Sequence, residues 1–304
     1  MFALSTAWNA DRYQNGNSIA REIYSLGLKK LELNFSLTSK MVEEIFNFTR
    51  QNGVAITSLH NYCPIPEVMP REKALPDCFS LSSMDEAERK KALEYTKITI
   101  STAKKLKAKA VVLHCGRVEI ADHTRKLIGL YNQGREKSEE YKQIFNAFIK
   151  ERKTKSQGYL GQILKSLEVL SSFALKLDIF LGIENRFYYR EIPSYEEFDI
   201  LFDRFKNKNV VYWHDVGHAY ILEKLGFMKE MSLLKKFGAH LYGAHLHNIK
   251  NLVDHQAPIS GDFDFHKLKP YIRSNTIKVI EAHSQAEPES ITRSILYLTE
   301  ALGD

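Results

Sequence analysis

The sequence of 304 residues has few cysteines that could crosslink a small domain and no long apolar run that could anchor it in a membrane. Its three cysteines (Cys63, Cys78 and Cys115) are an odd number without a CxxC pair, which indicates reduced thiols in a cytoplasm. No apolar run approaches the roughly 20 residues that span a bilayer. The N-terminal stretch "MFALSTAWNADRY" turns polar too early for a signal peptide. We therefore expect a cytoplasmic protein with no membrane partner.

Several compact catalytic and cofactor motifs are also missing. The sequence has no GxGxxG or Walker-type loop, which leaves a nucleotide cofactor unsupported, and no GxSxG elbow or HExxH pair. The net charge of +6 is spread thinly, without a long Lys/Arg block. It modestly favours an anionic substrate such as a sugar phosphate or a nucleic-acid backbone, and it is equally consistent with a solvated surface. Any active site must be assembled from residues far apart in the chain.

What the sequence does contain is a regular alternation of short apolar runs and amphipathic helical stretches such as "SKMVEEIFNFTRQN". This is the pattern of βα units around a parallel sheet. Eight such units predict one α/β domain over residues 1–304, a single (β/α)8 TIM barrel, with a doubly wound open sheet as the alternative. The predicted strands are residues 2–7, 30–35, 55–60, 110–115, 179–184, 210–215, 241–247 and 277–283.

Two segments are longer than a barrel loop requires, and they follow predicted strands three and four. Residues 61–84 are proline-rich and are expected to be irregular, whereas residues 117–158 are charged and are expected to be helical. Loops after strands lie on the C-terminal face of a barrel, where active sites are built. We interpret both insertions, and 117–158 in particular, as a lid or substrate wall. The alternative is a peripheral decoration or a contact in a homo-oligomer.

The ends of the predicted strands are rich in carboxylates and imidazoles. Parallel barrel strands direct their C-terminal ends to one mouth, where several carboxylates would repel one another unless a cation neutralised them. Mixed oxygen and nitrogen ligands suit zinc, manganese, cobalt or iron better than calcium. The sequence therefore predicts a divalent metal site. The residues concerned are Glu32, His60, His114, Glu184, Asp215, His218, His245, His247, Glu281 and His283. His214 alternates away from Asp215 and is expected to be structural.

The motifs at these positions resemble those of one superfamily. They are "TSLHNYCP", "VVLHCG", "GIENR", "YWHDVGHA", "GAHLHN", "DHQAPISGDFDF" and "VIEAH". Their order and strand placement are similar to those of the xylose-isomerase-like TIM-barrel superfamily. That superfamily includes sugar isomerases and epimerases and the endonuclease IV-type apurinic endonucleases (AP endonuclease family 2). The resemblance covers predicted strands two to eight, apart from the 117–158 insertion.

The isomerase and epimerase branch implies one divalent ion, manganese, zinc, cobalt or magnesium, held by Glu184, Asp215, His245 and Glu281. It also implies that Glu184 and Glu281 are catalytic and exchange a proton at a substrate carbon next to a carbonyl. The expected function is then a metal-dependent isomerase or epimerase of a sugar, sugar phosphate or related polyol. The expected substrate contacts are His218, His247 and Arg186, which lies two residues beyond Glu184 on the same strand face. A structural ion pair is the alternative for Arg186.

The endonuclease branch implies further metal ligands and a different reaction. His60, His114 and His218 match positions of additional ligands there, and His255 is a further candidate metal ligand. The chain departs from that branch at Asp254–His255, where an adjacent acid and histidine stand in place of Asp-x-His. The alternative function is thus a metal-dependent phosphodiesterase acting on abasic DNA. Nucleic acid is a partner only in that case, and a barrel that binds ligand without turnover is a third possibility.

Overall fold

Eight parallel strands close into a barrel in the computed structural model, which describes residues 1–206 and 208–303. The first strand pairs with both the second and the last, so the eight barrel strands leave no edge unpaired among the described residues. The predicted TIM barrel is confirmed, and the open-sheet alternative is wrong. The barrel strands are β1 (Ala3–Ser5), β2 (Lys30–Leu33), β3 (Ala55–His60), β4 (Ala110–Leu113), β5 (Phe180–Glu184), β6 (Val210–Asp215), β7 (Leu241–Leu246) and β10 (Ile277–Ile280). A hairpin of β8 (Asn248–Lys250) and β9 (Val253–Gln256) lies between the last two.

Nine helices of the described chain connect and surround the strands. They are α1 (Gly16–Ser25), α2 (Ser39–Asn52), α3 (Glu86–Lys105), α4 (Thr124–Asn132), α5 (Glu139–Leu175), α6 (Tyr195–Arg204), α7 (Val216–Lys224), α8 (Ser232–Phe237) and α9 (Pro288–Leu302). Several begin at a capping side chain, as at α6, where Ser194 and Glu197 form a reciprocal capping box. None of the helices in the described ranges is long and apolar enough to cross a membrane.

Four of the strands that carry site residues end earlier than predicted: β2, β4, β7 and β10. The last pairing between β4 and β5 joins Leu113 to Ile183, and the chain then turns through Gly116, whose φ is +101°. Likewise β10 ends at Ile280. His114 and Glu281 therefore lie one residue beyond their strands, where side-chain direction is no longer fixed by sheet pairing.

The barrel interior below the mouth is filled by a small apolar cluster centred on Trp213. The indole needs two glycines on the neighbouring strands: a Cβ at Gly182 would lie 2.8 Å from the ring, and one at Gly243 would lie 2.3 Å from it. On the outer face of β6, Tyr212 packs under α6 and its hydroxyl lies 2.6 Å from His214 Nδ1. His214 is thus structural, as strand alternation predicts.

The two insertions have the local structure that was expected. Residues 61–84 are irregular apart from one 3-10 turn at Arg71–Lys73, and 117–158 contain α4 and the first part of α5. This part of α5 packs on the loops after β5 and β6: the Tyr141 hydroxyl donates to the Leu225 carbonyl (2.8 Å), and Phe148 meets Tyr189 and Phe227 edge-on. The charged segment is therefore continuous with the helix that precedes β5, and it packs on loops at the C-terminal side of the barrel.

Candidate functional site

Four strand ends bring three carboxylates and one imidazole together at the mouth. The donor atoms of Glu184, Asp215, His245 and Glu281 all lie within 4.8 Å of one another, and all four residues are buried. His245 Nδ1 is 2.7 Å from Glu184 Oε1, 3.0 Å from Glu281 Oε2 and 3.7 Å from Asp215 Oδ2. Ligands of one transition-metal ion, each about 2.0–2.2 Å from it, are spaced by similar distances. The spacing of the four residues that the sequence predicts as metal ligands is therefore suitable for one divalent ion.

The electrostatics of this group favour a bound cation. Burial raises the pKa of Glu184, but the Arg186 guanidinium, with His114 and His245, outweighs it and holds that pKa well below its usual range. Burial also raises the pKa of Asp215, but His218, His247 and His245 outweigh this effect and hold the pKa well below its usual range. Burial lowers the pKa of His245, whereas the carboxylates of Glu281 and Glu32 raise it well above the usual value. These pKa shifts favour ionised carboxylates, and they favour a positive charge at the neighbouring His245 ring.

Glu32 contacts His245 from the opposite side of the ring. Its Oε1 lies 3.0 Å from His245 Nε2, and its Oε2 accepts a hydrogen bond from the Ser58 hydroxyl at 2.7 Å. A carboxylate on the far nitrogen of a metal-binding histidine fixes the tautomer and orients the ring. The sequence placed Glu32 at the mouth without a role. Its strand position was visible, but its pairing with β7 across the barrel was not.

We expect Glu32→Gln to weaken binding of Mn²⁺ or Co²⁺ by roughly 10- to 100-fold, because the amide keeps the shape of the carboxylate and loses its charge. Isothermal titration of metal-free protein measures this. The matched control is Glu43→Gln on the exposed surface of α2, which should bind like the unaltered protein. Equal affinities of the Glu32 variant and the control would contradict the orienting role.

A second group of possible ligands adjoins the first and shares Glu184. His60, His114 and Glu184 have donor atoms within 4.8 Å of one another. His114 Nε2 lies 2.9 Å from Glu184 Oε2, and His60 Nε2 lies 3.9 Å from it. Arg186 Nη1 lies 2.5 Å from His114 Nε2 and is bonded to the same Glu184 oxygen. Burial and the adjacent Arg186 charge hold the pKa of His114 well below its usual value.

A third group consists of His218, His247 and His255. Asp215 caps α7 by accepting from the His218 backbone N–H at 2.7 Å. His247 is fully buried, its Nε2 lies 3.0 Å from both Asp215 oxygens, and its Nδ1 accepts from the His255 backbone N–H. Both ring nitrogens are occupied, so we expect His247 to orient Asp215 and not to contact substrate as the sequence suggested.

A cavity of about 370 Å³ lies above these groups. Glu184 and Glu281 line it, whereas Asp215 and His245 lie beneath it and are fully buried. Aromatic side chains form its walls, and each insertion contributes one residue. The remaining lining includes Phe35, Phe187, Tyr188, Pro76, Arg125, His218 and Asp254. A hollow of this size and lining suits a small polar molecule.

Sequence reasoning missed the residues that shape this cavity. Arg125 of α4 donates to the Tyr188 hydroxyl at 2.6 Å, and its guanidinium lies over the Phe187 and Tyr188 rings. Phe187 and Tyr188 directly follow "GIENR", so their nearness in sequence was a usable signal. Arg125 lies in a charged insertion and had none. Its position depends on how α4 packs against the loop after β5.

A closed (β/α)8 barrel with a buried carboxylate and histidine cluster under its C-terminal mouth defines the class of barrels that build their sites from strand ends. Residues 20–301 match the model of the xylose isomerase-like TIM barrel family, and the chain belongs to this family. The resemblance seen in the motifs is thereby confirmed. Comparison with curated proteins finds no significant match.

Solved structures with the same fold include several sugar epimerases. A D-tagatose 3-epimerase-like protein is 18% identical, with a TM-score of 0.65 over 99% of this chain and 97% of that one. The 3-keto-D-glucoside 4-epimerase from E. coli is 16% identical, with a TM-score of 0.68 over 98% of both chains. The D-psicose 3-epimerase from Clostridium cellulolyticum H10 is 15% identical, with a TM-score of 0.66 over 99% of both chains. At these identities the likeness establishes the fold.

Proposed function

We propose that this protein is a divalent-metal-dependent epimerase or isomerase that acts on a ketose or a related sugar by proton transfer next to a carbonyl. The observation that carries the proposal is the division of the four candidate ligands. Glu184 and Glu281 face the cavity, whereas Asp215 and His245 lie under it. Two carboxylates can thus reach a substrate that the other two ligands cannot touch.

The ion and the two glutamates have different roles in the proposed reaction. When bound, the ion supplies Lewis-acid polarisation of the substrate oxygens next to the reacting carbon. One glutamate removes the proton from that carbon, and the other returns a proton to the opposite face in an epimerisation. In an isomerisation the proton returns to the neighbouring carbon instead. The walls formed by Phe35, Phe187 and Tyr188 exclude water that would compete for the proton.

The comparisons support a sugar as the substrate class, because the similar structures include a D-tagatose 3-epimerase-like protein, a 3-keto-D-glucoside 4-epimerase and a D-psicose 3-epimerase. The cavity of about 370 Å³ suits a monosaccharide. Arg125 at its rim adds a positive charge that a phosphorylated sugar would use. The implied partner is a small molecule.

Solvent deuterium incorporation tests the proposal. The protein is loaded with Mn²⁺, Co²⁺ or Mg²⁺ in ²H₂O and incubated with ketopentoses, ketohexoses, their phosphates and 3-keto-glucosides, and proton NMR follows the positions next to the carbonyl. We expect exchange and a second stereoisomer with at least one substrate, and neither with metal-free protein. Absence of exchange throughout the panel would contradict the proposed reaction.

The second candidate is the phosphodiesterase, favoured by the two additional groups of possible ligands around His60, His114 and His255. A hydrolase of this kind uses two or more ions to activate water and stabilise the leaving oxygen. Cleavage of abasic duplex DNA, weakening steeply with salt because phosphate contacts release counterions, would favour it over the epimerase.

A further inference from the structure

We propose that the guanidinium of Arg186 takes the place of a second metal ion beside Glu184, so that this protein builds a one-ion centre within a scaffold whose histidines could hold two. The inference rests on the proposed function for the first ion. It concerns the group of His60, His114 and Glu184, where the fixed positive charge of an arginine already lies.

The position of the guanidinium is the first observation. An ion bound by His114 Nε2 and Glu184 Oε2 would lie about 2 Å from both atoms, which are 2.9 Å apart. Arg186 Nη1 occupies this place, 2.5 Å from His114 Nε2 and bonded to Glu184 Oε2. A ring nitrogen that accepts a hydrogen bond uses its one lone pair, so His114 Nε2 cannot accept from Arg186 and bind a metal ion at the same time.

The two carboxylate oxygens of Glu184 face different partners. Oε1 faces His245 Nδ1 at 2.7 Å, on the side of the first ion. Oε2 faces His114 and Arg186 and lies 3.9 Å from His60 Nε2. In a two-ion centre this carboxylate would bridge both ions. Here its second oxygen already accepts a hydrogen bond from the Arg186 guanidinium.

The guanidinium is held in this place by the surrounding chain. Its Nη2 lies 3.3 Å from Glu191 Oε1, and the other Glu191 oxygen accepts from the Tyr188 backbone N–H at 2.9 Å. Asn185 ties the adjacent backbone to β6, because its side chain bonds both the N–H and the carbonyl of Asp215 at 2.9 Å. Arg186 is only 7% exposed. These anchors indicate a built arrangement in which a cation is supplied by the protein itself.

The test is the number of ions per chain. Metal-free protein is saturated with Co²⁺, freed of weakly bound ion by gel filtration and analysed by inductively coupled plasma mass spectrometry. We expect one ion in the unaltered protein, two in Arg186→Met, and one in the double variant Arg186→Met with His114→Ala, which lacks a ligand of the opened site. Arg186→Lys keeps the charge and should hold one.

The matched control is Arg125→Met, which removes the same charge from the same cavity but from a side chain that contacts neither His114 nor Glu184. It should hold one ion. The inference is overturned if Arg186→Met gains no ion over the unaltered protein, if the control gains one as well, if the double variant keeps the extra ion, or if the unaltered protein already holds two. Arg186→Gln, which keeps a polar side chain at this position, replaces Arg186→Met if the latter does not fold.

Failure of the proposed function gives a different result. An unaltered protein without any ion would contradict the metal-dependent reaction, whereas the difference between Arg186→Met and the unaltered protein would still decide the role of Arg186. One extra ion in the variant would then support the inference by itself, and no extra ion would overturn it.

Discussion

Glu281→Ala is expected to lose its divalent ion and to reduce turnover of the identified sugar by roughly 10³-fold or more. The substitution removes one of three carboxylates from the ligand group and one of the two that face the cavity. Removing a general acid or base alone costs about 10²- to 10⁴-fold, and loss of the ion adds to it. Elemental analysis and steady-state kinetics on the same preparation measure both effects.

The control for this substitution is Glu287→Ala, at the exposed first position before α9, whose side chain forms no capping hydrogen bond. It should keep both the ion and the activity. A Glu281→Ala protein with full metal content would show that Glu281 is not a ligand. Full metal content with lost turnover would leave it a role in proton transfer alone.

Arg152→Met is expected to lower the free energy of unfolding by about 3–5 kcal/mol, because it leaves the carboxylate of Glu197 buried without its partner. Arg152 is 4% exposed and donates to both Glu197 oxygens, at 2.9 and 2.8 Å. It also donates to the carbonyls of Tyr189 and Glu191, both at 2.7 Å. The ion pair joins α5 to α6, and the two carbonyl contacts join α5 to the loop after β5. Urea denaturation and calorimetry measure the loss.

Two further variants test the cause of this loss. Lys155→Met breaks an exposed pair with Glu151 on the same helix and should change stability by less than about 1 kcal/mol. Adding Glu197→Gln to Arg152→Met removes the stranded charge and should recover part of the lost stability. A single Arg152→Met variant as stable as the Lys155→Met control would contradict the prediction.

The placement of the candidate ligands at the barrel mouth could be predicted from local rules, whereas their selection among the residues at the strand ends came from the family resemblance. Each of Glu184, Asp215 and His245 lies at or next to the last residue of a strand whose apolar pattern marks its limits. Parallel pairing then places the ends together, and the period of two decides which side chain points inward. The same rule separates Asp215 from His214. These consequences follow from short stretches of chain and the closure of the barrel.

The rest depends on contacts that no short stretch encodes. Glu32 meets His245 across the barrel, and Arg152 of α5 meets Glu197 of α6. Sequence reasoning treated residues 117–158 as an insertion. In the structure α5 runs unbroken from Glu139 to Leu175, so it continues past the end of that segment. The role of Arg186 was left between substrate and ion pair, because the direction of a side chain beyond the end of a strand is set by its neighbours.

The tryptophan beneath the site has a consequence for molecular traffic. Because Trp213 fills the barrel between the cavity and its N-terminal end, a molecule in the cavity leaves by the way it entered. Product must leave before the next substrate can enter, because both use the same opening of the cavity. Pro76 and Arg125 line the cavity, one from each insertion. A larger side chain in place of Pro76 that narrows the single way in and out will therefore lower the arrival and departure rates together.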